Sequence, residues 1–181
     1  MKGLVFTEFL EMVEKMFSLE MVEKIISKSK LSTGGAYTAV GTYDHRELIE
    51  LVSHLSEFTG TPIPELEKVY GKFLFTKLVS RYGNLITENK DAFSFMQSVD
   101  KNIHVEVKKL YPEAELPRFE SELVNPNHLI MDYYSTRPFA DVAEGLLNGC
   151  IEYFNENISI QRESIKKDGK IYTRFNLQKQ E

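Results

Sequence analysis

The chain has 181 residues and a formal net charge of −5 at pH 7, a size that suits one domain with a sizeable core. The acidic balance argues against broad nucleic-acid binding, which uses a basic surface, and the single cysteine, Cys150, excludes an internal disulfide. No apolar run is long enough to span a membrane, and Glu8, Glu11 and Glu14 interrupt the N-terminal apolar residues, so the sequence predicts a cytoplasmic protein without a signal peptide.

Apolar residues at helical spacing predict four helices in the first half of the chain. The third helix follows Asp44, a typical N-cap, and stops at Gly60; the fourth opens near Pro64 and ends at Gly83. Such stripes indicate a packed core and identify no function. The defining positions are Val5, Phe9, Leu10, Val13 and Phe17; Met21, Ile25 and Ile26; Leu48, Leu51, Val52, Leu55 and Phe58; and Leu66, Val69, Tyr70, Phe73, Leu74 and Leu78.

The segment from Asp91 to Tyr111 predicts a further helix, which carries His104. Its apolar stripe recurs at steps of three and four residues, at Ala92, Met96, Val99, Ile103, Val107 and Leu110. His104 follows Ile103 and therefore lies about 100° round the helix, at the edge of the buried face. A histidine there is usually a partly exposed, hydrogen-bonded residue, so the spacing alone does not identify a ligand.

The last third of the chain predicts an antiparallel sheet with one helix. Strands are predicted at residues 118–122, 128–137, 158–165 and 171–177. Asn125-Pro126-Asn127 and Asp168-Gly169 are typical turn sequences between the members of each pair, and Pro138 suits the first turn of a helix. The whole pattern predicts an α+β fold, with a helical N-terminal part joined to a four-stranded antiparallel sheet and its packed helix.

Tyr133, Ser135 and Arg137 are spaced two apart, so on an extended strand they share one face with the apolar residues Leu129 and Met131. All three polar side chains donate hydrogen bonds, and arginine adds a planar fork that matches a carboxylate or phosphate. The cluster fits a ligand with an apolar body and an anionic edge. An ordinary exposed strand carries the same residue types, so the spacing alone leaves both interpretations open.

This Tyr-x-Ser-x-Arg triplet resembles the haem-propionate clamp of the H-NOX family, the haem-nitric oxide/oxygen binding domains. Three further features occur in the family's order: the opening Met1-Lys2-Gly3-Leu4-Val5, His104 where the proximal haem ligand lies, and Pro117 where a proline presses on the porphyrin. The resemblance covers essentially the whole chain. It implies one H-NOX domain over residues 1–181, with a helical subdomain (1–62) and a haem-holding subdomain (63–181), and haem b buried between helices and sheet.

The resemblance also implies the distal side of the haem pocket. The residues placed there are apolar, namely Val5, Phe9, Leu74, Leu78, Val142 and Leu146. Dioxygen-binding members carry a tyrosine five residues after the clamp arginine, where this chain has Val142, and Tyr134 points to the opposite strand face. A pocket without a donor does not stabilise bound dioxygen, whereas NO and CO need no donor, so the resemblance implies an NO sensor. Gly145 and Gly149 leave a smooth strip on the nearby helix, for packing against a strand or for a flat macrocycle.

Family behaviour implies a switch in which NO breaks the iron–His104 bond and the His104 helix relaxes, while Pro117 and Val5 hold the porphyrin distorted beforehand. The sequence contains no glycine-rich phosphate loop and no kinase catalytic signature, so we expect no enzymatic activity of its own. The resemblance therefore implies a separate partner, which in bacterial stand-alone members is typically a histidine kinase or a cyclic-diguanylate enzyme.

Two alternatives stay open at this stage, a dioxygen-binding haem sensor and a haem carrier or apolar-ligand binding module. A peroxidase-type haem enzyme would need a distal histidine, arginine or asparagine, which the assigned positions do not supply.

Overall fold

The computed structural model describes residues 1–83, 86, 89–167 and 169–180. Within them the helices are α1 (Gly3–Met16), α2 (Leu19–Lys28), α3 (His45–Thr59), α4 (Ile63–Tyr82), α5 (Ala92–Ser98), α6 (His104–Leu110) and α7 (Ala140–Tyr153). The strands are β1 (Arg118–Asn125), β2 (His128–Tyr134), β3 (Ile158–Lys167) and β4 (Lys170–Lys179). A π-helical turn, Val99–Ile103, joins α5 directly to α6. None of the described helices combines the length and apolar character that crossing a membrane requires.

Side-chain caps and a glycine set the ends of the N-terminal helices. Ser18 Oγ accepts a hydrogen bond from the Met21 N–H at the start of α2, and Asp44 Oδ1 accepts one from the Arg46 N–H at the start of α3. Gly60 follows α3 with a φ of +71°, a left-handed conformation that favours glycine. The predicted start at Asp44 and stop at Gly60 are confirmed.

Two hydrophobic clusters form the core. The first joins α1 to α4 and is centred on Phe6, Phe9, Met12, Leu51, Leu55 and Tyr70. The second joins α5, α7 and the sheet and is centred on Phe93, Met96, Leu129, Met131, Cys150, Phe175 and Leu177. Leu146 of α7 packs against both clusters, so α7 marks their junction.

The sheet has the order β1-β2-β4-β3, and each neighbouring pair is antiparallel. Its inner face is buried because Leu129, Met131 and Phe175, at most 1% exposed, pack on the second cluster. The predicted four-stranded antiparallel sheet is therefore confirmed. The prediction that the second strand continues to Arg137 is wrong, since its pairing with β1 ends at Tyr134.

The β3–β4 hairpin is longer than the sequence predicted. Pairing continues to Lys167 opposite Lys170, beyond the predicted ends at residues 165 and 171. Gly169 has a φ of +74°, which suits a tight turn between antiparallel strands. Asp168, predicted to share this turn, lies outside the described residues.

Helices α4 and α7 cross at glycines. A Cβ added to Gly145 would lie 2.2 Å from the Lys68 carbonyl oxygen and 2.9 Å from the Gly71 Cα, so the two backbones are in direct contact. A Cβ on Gly149 would lie 2.7 Å from the Phe75 Cβ. The glycine strip of α7 thus packs against a helix, not against a strand as one interpretation had it, and neither of its glycines lines the cavity described below.

Candidate functional site

A cavity of about 340 Å³ lies where the two hydrophobic clusters meet, between α1, α4, the α5–α6 helix, α7 and the inner face of β2. This volume falls within the range of ligand pockets, roughly 300 to 1,000 Å³. Most of its lining is hydrocarbon, and its polar groups are few. The predicted site residues on its wall are Val5, Leu74, Leu78, His104, Pro117, Tyr133, Ser135, Arg137, Val142 and Leu146.

Phe9 is the predicted site residue that the structure does not place on this wall. It is fully buried in the first cluster, with its ring edge-on to Tyr70 at 5.3 Å between centroids. Tyr70 lines the cavity instead, and its hydroxyl donates a hydrogen bond to the Val5 carbonyl oxygen. Tyr70 precedes Leu74 by four residues and Leu78 by eight, so helical spacing already placed it on the same face of α4. Phe9 therefore packs against Tyr70 in the layer of side chains behind the cavity wall.

His104 enters the cavity wall directly after the π-helical turn. Such a turn adds one residue to the helical ladder and rotates the following residues by about 100° relative to an unbroken helix. Beyond the turn Val107 still lines the cavity, but Leu110, expected to be buried with it, is 62% exposed. The His104 side chain is 17% exposed. The sequence stripe ran on a regular helical period and gave no sign of the turn.

Asp100 fixes the orientation of the His104 ring. His104 Nδ1 lies 3.1 Å from Asp100 Oδ1, and the same oxygen accepts a hydrogen bond of 3.2 Å from the Phe119 N–H. Because a carboxylate only accepts, Nδ1 carries the proton and Nε2 keeps a free lone pair. Burial lowers the pKa of His104 and outweighs the opposing effect of Asp100, which favours a neutral ring. Asp100 and His104 are four residues apart, the spacing at which two side chains meet on one face of a helix. The sequence therefore contained a signal for this contact, which the prediction of the site did not include.

Tyr133, Ser135 and Arg137 meet at the cavity, although only Tyr133 lies within β2. Tyr133 is 6% exposed, its ring lies 5.3 Å from that of Phe119, and burial raises its pKa. Beyond the strand, Ser135 Oγ accepts a hydrogen bond of 3.0 Å from the Arg137 N–H, which bends the chain. The expected grouping is present, but a turn produces it instead of strand alternation.

The Arg137 guanidinium already binds a carboxylate. Its Nη1 donates to the Glu115 carbonyl oxygen at 3.0 Å, and its Nη2 pairs with the Glu115 carboxylate. The Arg137 side chain is 14% exposed and that of Glu115 83%, so the pair lies at the rim of the cavity. Pro117 follows Glu115 by two residues and lines the cavity. Arg137 thereby ties the segment that carries Pro117 to the end of β2.

Tyr134 faces away from the cavity, as the sequence predicted. Its ring lies 4.7 Å from that of Tyr172, and its hydroxyl donates to Glu120 Oε2 at 3.0 Å. It is therefore no donor for a ligand inside the cavity.

The chain is similar to known haem proteins over nearly its whole length. Residues 2–162 match the family model described as haem-NO-binding. Among curated proteins, soluble guanylate cyclase gcy-35 of Caenorhabditis elegans is 27% identical over 141 residues, which are 76% of this chain and 20% of that protein. The chain thus spans about a fifth of the length of that relative.

Three solved H-NOX structures show the same fold. The Fe(II) unliganded protein from K. algicida is 41% identical with a TM-score of 0.92, covering 100% of this chain and 97% of that chain. The S. oneidensis protein in the Fe(II)NO state is 28% identical with a TM-score of 0.91, and both chains are covered completely. The IWP-051-bound Shewanella woodyi protein in the Fe(II)CO state is 42% identical with a TM-score of 0.84, covering 99% and 95%. The predicted α+β H-NOX fold is confirmed, and the chain belongs to the haem-NO-binding (H-NOX) family of haem-based gas-sensor domains.

Proposed function

We propose that this chain is a haem-based sensor of nitric oxide in which His104 binds the iron of haem b. The observation that carries the proposal is one cavity with a neutral imidazole on its wall and a carboxylate-binding guanidinium, Arg137, at its rim. Haem combines an iron, an apolar ring and two carboxylates, and these three parts match the imidazole, the hydrocarbon lining and the guanidinium.

His104 suits an axial ligand because Asp100 holds its Nδ1–H and leaves the lone pair on Nε2. Among the described residues, no group of three or more histidine, cysteine or acidic side chains is placed to hold a metal ion. A single imidazole is the donor set that suits an iron already held by its own macrocycle. When bound, haem would supply a ferrous iron that Nε2 of His104 would hold and that is able to bind NO.

Arg137, Ser135 and Tyr133 are the residues that would hold a haem carboxylate. The guanidinium donates to the backbone carbonyl and to the carboxylate of Glu115, and its planar set of N–H groups would suit a propionate as well. The Ser135 and Tyr133 hydroxyls lie on the same part of the cavity wall and add two donors. Pro117 and Val5 line the same cavity and would supply apolar contacts to the ring.

Selectivity for NO and CO over dioxygen follows from the side chains of the distal wall. Val5, Leu74, Leu78, Val142 and Leu146 have no polar side-chain atom. Tyr70 lines the same cavity, and its hydroxyl donates its proton to the Val5 carbonyl oxygen. Bound dioxygen would therefore gain no hydrogen bond from these side chains, whereas NO and CO bind without one.

The output of such a sensor is a change in the helix that carries His104. Release of His104 frees α6 to move relative to the cavity, and this motion signals only if a partner binds the two positions unequally. We propose a histidine kinase or a cyclic-diguanylate enzyme as that partner. Assaying partner activity with the unliganded, CO-bound and NO-bound protein tests this step, because NO should change the activity strongly and CO weakly.

The central test is an absorption spectrum of the protein purified after expression with ample haem. A Soret band, its shift on adding NO or CO to the ferrous protein, and the absence of a lasting dioxygen complex in air are the expected results. A stable dioxygen complex would favour an oxygen sensor. Complete absence of the Soret band would instead favour an apolar-ligand binding module.

A further inference from the structure

The Lys2 ammonium group connects the loop that contains Val40 to the segment at the C-terminal end of the His104 helix. Its Nζ donates to the Val40 carbonyl oxygen at 2.7 Å and to Glu113 Oε1 at 2.7 Å. It also lies 4.5 Å from the centroid of the Tyr111 ring, within the range of a cation–π contact. The Lys2 side chain is 13% exposed, so these partners replace most of its water.

The backbone of Lys2 and Gly3 is bound to the loop of residues 38–42. Lys2 forms an antiparallel bridge with Thr42, and the Gly3 N–H donates to the Gly41 carbonyl oxygen at 2.8 Å. A Cβ on Gly3 would lie 1.8 Å from the Thr38 carbonyl oxygen, so the backbone approaches this loop as closely as only glycine allows. The Lys2 backbone therefore has little freedom to follow a moving partner.

The other side of the contact is the C-terminal end of α6. Tyr111 is its C-cap residue, and the Tyr111 N–H donates to the Val107 carbonyl oxygen at 2.8 Å. The Ala114 N–H donates to the Tyr111 carbonyl oxygen at 2.9 Å. This bond closes a turn that contains Glu113, so Glu113 is held next to the end of the helix. His104 is the first residue of α6, so this end is rigidly connected to it by two helical turns.

We propose that Lys2 is a positioning residue that holds the C-terminal end of the His104 helix on the loop of residues 38–42. By restraining that end, Lys2 sets how readily the helix moves when His104 is released; this second part rests on the proposed function. The observation that carries the proposal is one poorly exposed ammonium shared by a backbone carbonyl of the loop and by Glu113 and Tyr111 of the helix end.

Hydrogen exchange in the purified full chain tests the first part. Lys2→Met keeps the aliphatic stem and removes the ammonium, so exchange of the Tyr111 and Ala114 amides should become about fivefold faster. The matched control is Lys109→Met, which removes an exposed lysine of the same helix that pairs with Glu106. Equal exchange in the two variants would overturn the proposal.

Glu113→Gln keeps the test decisive if Lys2→Met fails to fold. The Glu113 side chain is 58% exposed, so its replacement leaves the core intact, and the two amides should exchange about threefold faster. No change in Glu113→Gln would overturn the proposal in that case.

The second part is tested on haem-loaded protein by absorbance after mixing with NO. Loss of the His104 bond should be several-fold faster in Lys2→Met than in Lys109→Met, and equal rates would overturn this part. Failure of the wild-type chain to bind haem would contradict the proposed function and would not affect the hydrogen-exchange result. Failure of the proposed function and failure of the role of Lys2 are therefore distinguishable.

Discussion

Asp100 Oδ1 lies 3.1 Å from His104 Nδ1 and accepts a second hydrogen bond from the Phe119 N–H. One carboxylate oxygen therefore connects the π-helical turn, the candidate iron ligand and the beginning of β1. This arrangement orients the imidazole and makes it a stronger electron donor, as carboxylate partners of metal-bound histidines do.

Asp100→Asn should weaken the iron–His104 bond, because a neutral amide accepts the Nδ1 proton less strongly. We expect a lower iron–histidine stretching frequency by resonance Raman spectroscopy and about tenfold weaker haem affinity. Glu106→Gln is the control, since it removes a charge on the same helix from an exposed pair with Lys109. An unchanged frequency in Asp100→Asn would show that the carboxylate does not act on the ligand.

His104→Gly should give a folded protein that loses haem and regains it with added imidazole, because one nitrogen donor is missing. Glycine within a helix costs about 1 kcal/mol of stability, and His54→Gly in α3 controls for that cost. Soret absorbance with and without imidazole is the measurement. Retention of haem with an unaltered ferrous spectrum would exclude His104 as the ligand.

Arg137→Ala should reduce haem retention more than Ser135→Ala. A charge-assisted fork to a carboxylate contributes about 1.5–3 kcal/mol, and a neutral hydroxyl contributes about 1 kcal/mol. Rates of haem transfer to an excess of an acceptor globin compare the two variants. Arg46→Ala serves as the control, because Arg46 is exposed and pairs with Asp44 on the surface. Equal rates for Arg137→Ala and Arg46→Ala would contradict the assigned clamp.

Val142→Tyr should slow dioxygen loss from the ferrous protein by about tenfold, the effect of one hydrogen bond. Val142 lines the cavity and is 8% exposed, so a hydroxyl carried from this position enters an apolar space. Val142→Phe fills the same volume without a donor and should leave the loss fast. Stopped-flow absorbance distinguishes the variants, and equal dissociation rates would remove Val142 from the distal wall.

Glu67→Gln should stabilise the protein at neutral and alkaline pH. Burial, together with the nearby Asp141 carboxylate, raises the pKa of Glu67 to about 7 against the opposing effect of Arg162. The protonated form is thus favoured on folding, so its contribution to stability is complete below the ordinary pKa near 4.5 and is lost as pH rises through about 7. Above that pH we expect a gain of about 1–2 kcal/mol in the free energy of unfolding.

Urea denaturation of Glu67→Gln at pH 5 and pH 8 measures this difference. Glu23→Gln, which changes an exposed carboxylate of α2, controls for net charge. A gain of the same size at both pH values would show that Glu67 does not titrate in this range.

The sequence by itself determined the class of fold and named in advance most of the candidate residues that line the cavity. Alternating and helical apolar periods report which residues face a core, so the N-terminal helices and the four strands were readable from local pattern. His104, Pro117 and the triplet of Tyr133, Ser135 and Arg137 were candidates because their residue types and order resemble a pattern of the H-NOX family, and all five line the cavity.

Only the tertiary structure decided how these residues meet. The π-helical turn before His104 interrupts the regular period that the stripe assumes, and beyond it Val107 lines the cavity whereas Leu110, the last residue of α6, is exposed. Tyr70 replaces Phe9 on the cavity wall, and Glu115 pairs with Arg137 across 22 residues, because packing between distant segments sets both. A local pattern records which face of an element is buried, whereas contacts between elements depend on how those faces are joined in space.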